Sequence, residues 1–267
     1  MILVTGTKRS GTSMWIQILA GAGLPVIGEA FPSEWGESIR DANPHGFYES
    51  RFRQGVFYAT NPDPKTGHFV HPNATHRHAV KVFIPGLCRT DFAFLDRVIA
   101  TIRDWRDYGG SLQRLYALED AHLAKKGDAH VQKAHDNRSP LPPHIEWFLE
   151  NYELIRDFSA RRFPMRLYAY ERLLAEPERI VSTVLEWVGG GNLQGALDAI
   201  DPSSRTHTGS AAPEGVDPAH AEVFDELYRT LHDEQPLEKA LVDRLNALQK
   251  ALIAEYGELS RDRGREA

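Results

Sequence analysis

The chain has 267 residues, 42% of them hydrophobic, a formal net charge of −6 and a single cysteine. That length and apolar content allow one full hydrophobic core and exclude a disordered or fibrous chain. The acidic balance argues against general nucleic-acid binding, and a lone Cys88 rules out an internal disulfide and speaks against a thiolate metal cluster.

The first element is a strand, Ile2 to Thr5, which delivers the chain to a glycine-bracketed turn. A helix of about Thr12 to Ala22 opens directly after it, so its free N–H groups point at the turn and favour an anion there. Gly6 and Gly11 have the spacing of the nucleotide-binding pattern G-x-x-x-x-G-K-(S/T), but Thr12 stands where that pattern has its lysine. The cations, Lys8 and Arg9, lie inside the turn instead, and Ser10, Thr12 and Ser13 add hydroxyl donors. Such a turn is expected to hold a phosphate, though not a triphosphate.

Strand and helix then alternate. A polar loop is expected over 28–46, a helix near 49–60, a strand over 78–84, a helix around 90–96, a strand over 97–102 and a helix over 107–124. Alternation of this kind predicts a central parallel sheet flanked by helices, a three-layer α/β sandwich, in one domain spanning 1–267. Residues 125–143 turn polar with three prolines and read as a mobile loop over the substrate side. The helix after it, about Pro143 to Ala160, carries Ile145, Phe148, Leu149, Tyr152, Leu154 and Ile155 at core spacing. A strand-to-helix junction follows at Met165 to Glu178, then an apolar helix to Val188 and a last amphipathic helix from Pro236 to Tyr256. No stretch approaches the ~18 apolar residues of a membrane span, and the first strand begins at residue two, which leads to the expectation of a cytoplasmic protein without a signal peptide. Anion binding in an acidic chain requires a local cluster of cations, for which Lys8, Arg9, Arg103, Arg106 and Arg205 are the candidates.

Three segments carry a resemblance. Lys8-Arg-Ser-Gly-Thr-Ser13 resembles the 5′-phosphosulfate loop, P-(K/R)-S-G-T-(T/S), of sulfotransferases that use 3′-phosphoadenosine 5′-phosphosulfate (PAPS), with Lys8 in place of the proline. Arg103-Asp-Trp-Arg-Asp, with Ser111 eight residues after Arg103, is similar to the segment in which that family holds the 3′-phosphate of the cofactor. Trp105 replaces the usual proline. Tyr170-Glu-Arg-Leu-Leu resembles the family's Y-E-D-L-L junction, where the aromatic residue lies near the adenine. The resemblance implies a P-loop-type fold and a PAPS site made of Lys8, Arg9, Ser10, Gly11, Thr12, Ser13, Arg103, Ser111 and Tyr170. It also implies transfer of a sulfuryl group from PAPS, releasing adenosine 3′,5′-bisphosphate, with Arg9 in the place of the catalytic lysine or arginine. Sulfuryl transfer depends on positioning and on neutralising charge at the bridging oxygen, which a guanidinium performs without a metal.

A hydroxyl acceptor must also lose a proton. Many cytosolic members use a histidine in K-x-H-x-P, but in Lys81-Val-Phe83-Ile-Pro85 a phenylalanine takes its place. Glu29, in the region where other branches place a glutamate, is the first candidate base. Glu49, at the end of Asn43-Pro-His-Gly-Phe-Tyr-Glu49, is the second, and His45 in the same turn a third. The segment Ile200 to Gly209 is similar to a late basic loop of bacterial relatives, which implies that Arg205 completes the phosphate site and that His207 reaches the acceptor. His68, His71, His76 and His78 lack the spacing and acidic partners of a metal site. Phe31, Trp35, Phe47, Tyr48 and Trp147 are candidates to line the pocket of a small-molecule or glycan acceptor. Two other readings stay open: a P-loop phosphotransferase, and a non-catalytic nucleotide-binding relative. The sequence does not fix the acceptor or the oligomeric state.

Overall fold

A computed structural model describes residues 1–31, 43–125, 127–136, 138–205, 209 and 211–263. Five parallel strands form the sheet: β1 (Ile2–Thr5), β2 (Val26–Ile27), β3 (Ala79–Lys81), β4 (Arg97–Ile102) and β5 (Met165–Ala169), in the order β2-β3-β1-β4-β5. Helix α1 (Thr12–Gly21) follows β1, α2 (Ile84–Arg89) follows β3, and α3 (Trp105–Ala124) follows β4. The remaining helices are α4 (Asp128–Asp136), α5 (Pro143–Arg161), α6 (Tyr170–Ala175), α7 (Pro177–Trp187), α8 (Leu193–Asp198), α9 (Pro218–His232) and α10 (Lys239–Arg263).

The period of two along the strands sets the layers. Ile2 and Val4 of β1 join Ile99 of β4 against α1, α7 and α8 on one face. Met1 and Leu3 join Val80, Val98 and Ala100 on the other, under α2 and the end of α5. A third apolar cluster, with Trp105, Trp147, Phe148 and Phe224 at its centre, binds α3, α5, α9 and α10 together. All four of those aromatic rings are at most 0% exposed. Burying such a side chain contributes roughly 1.5–3 kcal/mol each, which is why both faces of a sheet this small can be covered. The three-layer α/β architecture is therefore as expected. No helix among the described residues is long and apolar enough to cross a membrane.

Several elements differ from the sequence expectation. The helix expected over 49–60 is one 3₁₀ turn, Arg51–Gln54, because Gly55 leaves at φ 106° and a Cβ there would lie 2.3 Å from the Gly86 carbonyl oxygen. The strand expected over 78–84 stops at Lys81, and Pro85 sits in the first turn of α2, where its missing N–H costs nothing. The helix expected around 90–96 is a 3₁₀ turn, Phe92–Phe94, capped by the Asp91 carboxylate. Residues 128–136 of the expected mobile loop form α4, whose His135 Nε2 lies 3.0 Å from Asp120 of α3, and just beyond it Arg138 donates to Glu119 and Asp120.

The position of the site follows from the strand order. Successive connections leave β1 to opposite sides, with β3 on one flank and β4 on the other. The crevice at such a switch point, outside the C-terminal ends of the strands, is where open α/β sheets bind ligands. The glycine-bracketed turn lies there.

Candidate functional site

Both glycines of the turn are required by close approach. A Cβ on Gly6 would sit 2.4 Å from the Thr101 carbonyl oxygen, and one on Gly11, at φ 100°, would sit 2.6 Å from Cδ2 of Tyr170. Gly11→Ala is expected to lower stability by about 1–3 kcal/mol, read as a lower denaturant midpoint at unchanged slope. Between them, Arg9 has φ 65°, a left-handed conformation that a non-glycine residue adopts at a cost. The Ser10 hydroxyl donates to the Thr7 carbonyl at 2.7 Å and so staples the turn. Its single proton is thereby committed. Thr101 donates to the Ser10 carbonyl at 2.8 Å and fastens the turn to β4. Gly11 caps α1 with no side-chain hydrogen bond, and no acidic residue stands in the first turn, so the helix presents a bare positive end.

The second motif segment meets the turn. Arg9 Nε donates to Ser111 Oγ at 3.1 Å, and Arg103 Nη1 donates to the Arg9 carbonyl at 3.3 Å. Arg103 is 4% exposed and Ser111 1%. The Trp147 indole donates to the Arg103 carbonyl at 2.8 Å, which fixes the backbone where β4 turns into α3. The glycine-bracketed turn and the Arg103 segment thus form one connected cluster. Tyr170 is 4% exposed, packed on Gly11 with the Arg103 guanidinium 5.1 Å from its ring centroid. It props the arginine as well as the turn.

Glu171 follows Tyr170 and gathers the cations. Its carboxylate lies 3.9 Å from Arg103 Nε and 4.0 Å from Arg205 Nη2, and accepts from the Tyr228 hydroxyl at 2.6 Å. Arg205 also lies 3.5 Å from Asp107. The late loop therefore delivers Arg205 to the same place as Arg103. Arg106 does not join them: it donates to both oxygens of Asp225, at 2.5 and 2.8 Å, and belongs to the packing of α9. Trp105 donates to the same carboxylate at 2.8 Å, so the residue that replaces proline anchors α3 to α9.

Burial, and then the neighbouring Arg103, push the Arg9 guanidinium down to about 10, where it is still charged at neutral pH. Lys8 is raised despite a burial effect that opposes it, because Tyr116, Glu146 and Glu150 hold its charge. Its side chain therefore engages α3 and α5.

The two candidate bases are neighbours. Glu29 and Glu49 form an antiparallel bridge, N–H to carbonyl at 3.0 and 3.1 Å. Their side chains differ in setting. Glu29 is exposed, whereas Glu49 is 7% exposed and pairs with Lys81 Nζ at 2.6 Å. Lys81 in turn donates to the Phe47 carbonyl at 2.5 Å and to Ser13 at 3.3 Å. Burial lowers the Lys81 ammonium, with Glu49 opposing. Glu49 is thus bound into a buried ion pair beside α1. His45 Nε2 lies 3.0 Å from Asp201 and joins the 43–49 turn to the late segment.

Among the aromatic candidates, Trp147 is core at 0% exposed and Phe47 is 7% exposed, while Trp35 and the candidate His207 fall outside the described residues. His68, His71 and His78 line a cavity of about 370 Å³ with Ile27, Phe52 and Phe69, outside the arginine cluster. Among the described residues no three His, Cys, Asp or Glu side chains converge as metal ligands. The sequence alone gives no site role to Asp107, Lys81 or Glu146, a buried carboxylate between Ile145 and Trp147, and reads Glu171 as bracing the backbone rather than gathering cations. A charge inside an apolar run was the available signal for Glu146. Comparison with family models and with curated proteins returned no match.

Proposed function

We propose that the chain is a PAPS-dependent sulfotransferase, which moves a sulfuryl group to a hydroxyl or amine of a small-molecule or glycan acceptor. The observation that carries this reading is the meeting of Arg9, Ser111 and Arg103, drawn from two segments about a hundred residues apart and joined at 3.1 and 3.3 Å. A donor with phosphates at both ends of its ribose needs such a site. The bare end of α1, with Thr12 and Ser13, suits the 5′-phosphosulfate. Arg103 and Arg205 suit the 3′-phosphate, because guanidinium forks match phosphate oxygens. As the bond from sulfur to the bridging oxygen lengthens, negative charge grows on that oxygen, and Arg9 is the cation this reading assigns to neutralise it.

Calorimetry with adenosine 3′,5′-bisphosphate, compared with ATP and Mg²⁺, tests the reading. The bisphosphate should bind more tightly, and Arg103→Ala should weaken it by about 1.5–3 kcal/mol. Preference for ATP with Mg²⁺ would support a small-molecule kinase instead. Tight bisphosphate binding without turnover of PAPS would favour the non-catalytic relative.

A further inference from the structure

The turn 43–49 and the segment after α8 are anchored on opposite flanks of β1 and meet at His45 and Asp201. On the β3 flank, Gln17 of α1 donates to the Gly46 carbonyl at 3.1 Å, Lys81 donates to the Phe47 carbonyl, and Glu29 bridges Glu49. On the β4 flank, Arg205 lies 3.5 Å from Asp107 of α3 and 4.0 Å from Glu171 of α6. Where the two meet, His45 Nε2 is 3.0 Å from Asp201 Oδ2, across 156 residues of sequence.

Asp201 and Arg205 belong to one stiff unit. Asp201 Oδ1 accepts from the Ser203 N–H at 2.9 Å and from the Ser203 hydroxyl at 2.6 Å, and the Arg205 N–H donates to the Pro202 carbonyl at 3.1 Å. A single 3₁₀ turn, Pro202–Ser204, spans the interval, so a pull on Asp201 is felt at Arg205. The arginine side chain does little to hold itself: its Nε is buried with no hydrogen-bond partner, and both carboxylates stand at the long end of ion-pair range. Its place is set by the backbone that carries it.

We infer, on the sulfotransferase reading in which Arg205 holds the 3′-phosphate, that the His45–Asp201 pair is a clasp that positions Arg205 and ties donor affinity to the charge on His45. His45 is then a positioning residue, acting through Arg205 rather than on the acceptor. Histidine is the side chain that changes charge between about pH 5 and 8. With the imidazole protonated the clasp is an ion pair, and with it neutral only a hydrogen bond to the carboxylate remains. The clasp is therefore tightest at the acid end of that range and slackens as pH rises. Around the pair, α1 presents the neutral Gln17, the turn Asn43 and Glu49, β3 the Lys81 that answers Glu49, and the late segment Arg205 beside Asp107 and Glu171. The two clasp side chains are 50% and 31% exposed, and a pair so open to solvent shifts an equilibrium by about two- to fivefold.

The test is calorimetry of adenosine 3′,5′-bisphosphate on the full chain at about pH 5.5 and about pH 8.5, either side of the histidine range. Each variant is compared with wild type at the same pH, because the phosphates of the ligand also titrate there. Asp201→Asn, which still caps the 3₁₀ turn, should weaken binding about two- to fivefold at the lower pH and leave it unchanged at the higher. His45→Arg keeps a cation at every pH, so it should match wild type at the lower pH and bind about two- to fivefold more tightly at the higher. Hydrogen exchange of the ligand-free chain reads the clasp without a donor: in His45→Gln the Arg205 amide should exchange about two- to fivefold faster than in wild type at the lower pH. Wild-type affinity in both charge variants at both pH values overturns the inference. So does a loss of the same size at both, which would mark a merely structural contact, and so does unchanged exchange at Arg205. A chain that binds no bisphosphate at either pH removes the sulfotransferase reading instead, and the exchange measurement still decides whether the clasp holds Arg205.

Discussion

Lys81→Met is expected to lower the unfolding free energy by about 3–5 kcal/mol, a drop of roughly 6–20 °C in melting temperature. The ammonium is 3% exposed and lies 2.6 Å from Glu49 Oε1, while Glu49 Oε2 is buried with no hydrogen-bond partner. Removing the lysine leaves a carboxylate in the interior with nothing to neutralise it, and that penalty exceeds the net worth of the pair. The double variant Lys81→Met, Glu49→Leu should therefore recover most of the loss, which chemical denaturation of all the variants would measure as a coupling energy. The outcome also decides between two roles for Glu49. A solvated carboxylate serving as general base would lose no more than about 0.5 kcal/mol with Lys81.

Arg9→Ala is expected to remove about 100- to 1000-fold of PAPS turnover, the size of effect seen when one donor to a developing oxyanion is deleted. The measurement is a steady-state rate beside a calorimetric affinity for adenosine 3′,5′-bisphosphate. Turnover should collapse while the bisphosphate still binds, because Arg103, Arg205 and the end of α1 remain. Arg9→Lys should restore part of the rate. It keeps the charge but loses the fork through which Nε reaches Ser111. An Arg9→Ala protein with wild-type turnover would show that the residue at φ 65° is held there for the shape of the turn alone.

The strands that frame the cradle were legible because their signals are short-range. Arg97–Ile102 is a β-branched run bounded by charged residues, and Ile2–Thr5 runs straight into a glycine, so both were placed at their observed limits. Val26–Ile27 pairs through only two residues with β3, too few for a period to register. Residues 128–136 became a helix through tertiary contacts and Arg138, where a polar, proline-flanked composition reads as loop. The α9 helix did carry a readable start, Asp217 capping before Pro218, with Val223, Phe224 and Leu227 following at core spacing. In the site, the resemblance grouped Arg9, Arg103, Ser111 and Arg205, and these residues do lie together. The motifs could not show that Glu49 answers Lys81, or that Trp147 is core, since those depend on which segments pack together.

Glu171 sits between Arg103 and Arg205, and Asp107 approaches Arg205 from α3. These carboxylates keep like charges from driving the two arginines apart, and on the sulfotransferase reading they would act as placeholders for an incoming dianion. A ligand would not have to organise the guanidiniums, only to outbid their internal counter-ions. On that reading affinity at this seat would be set by exchange of one anion for another, and it should respond less steeply to added salt than an open pair of arginines would.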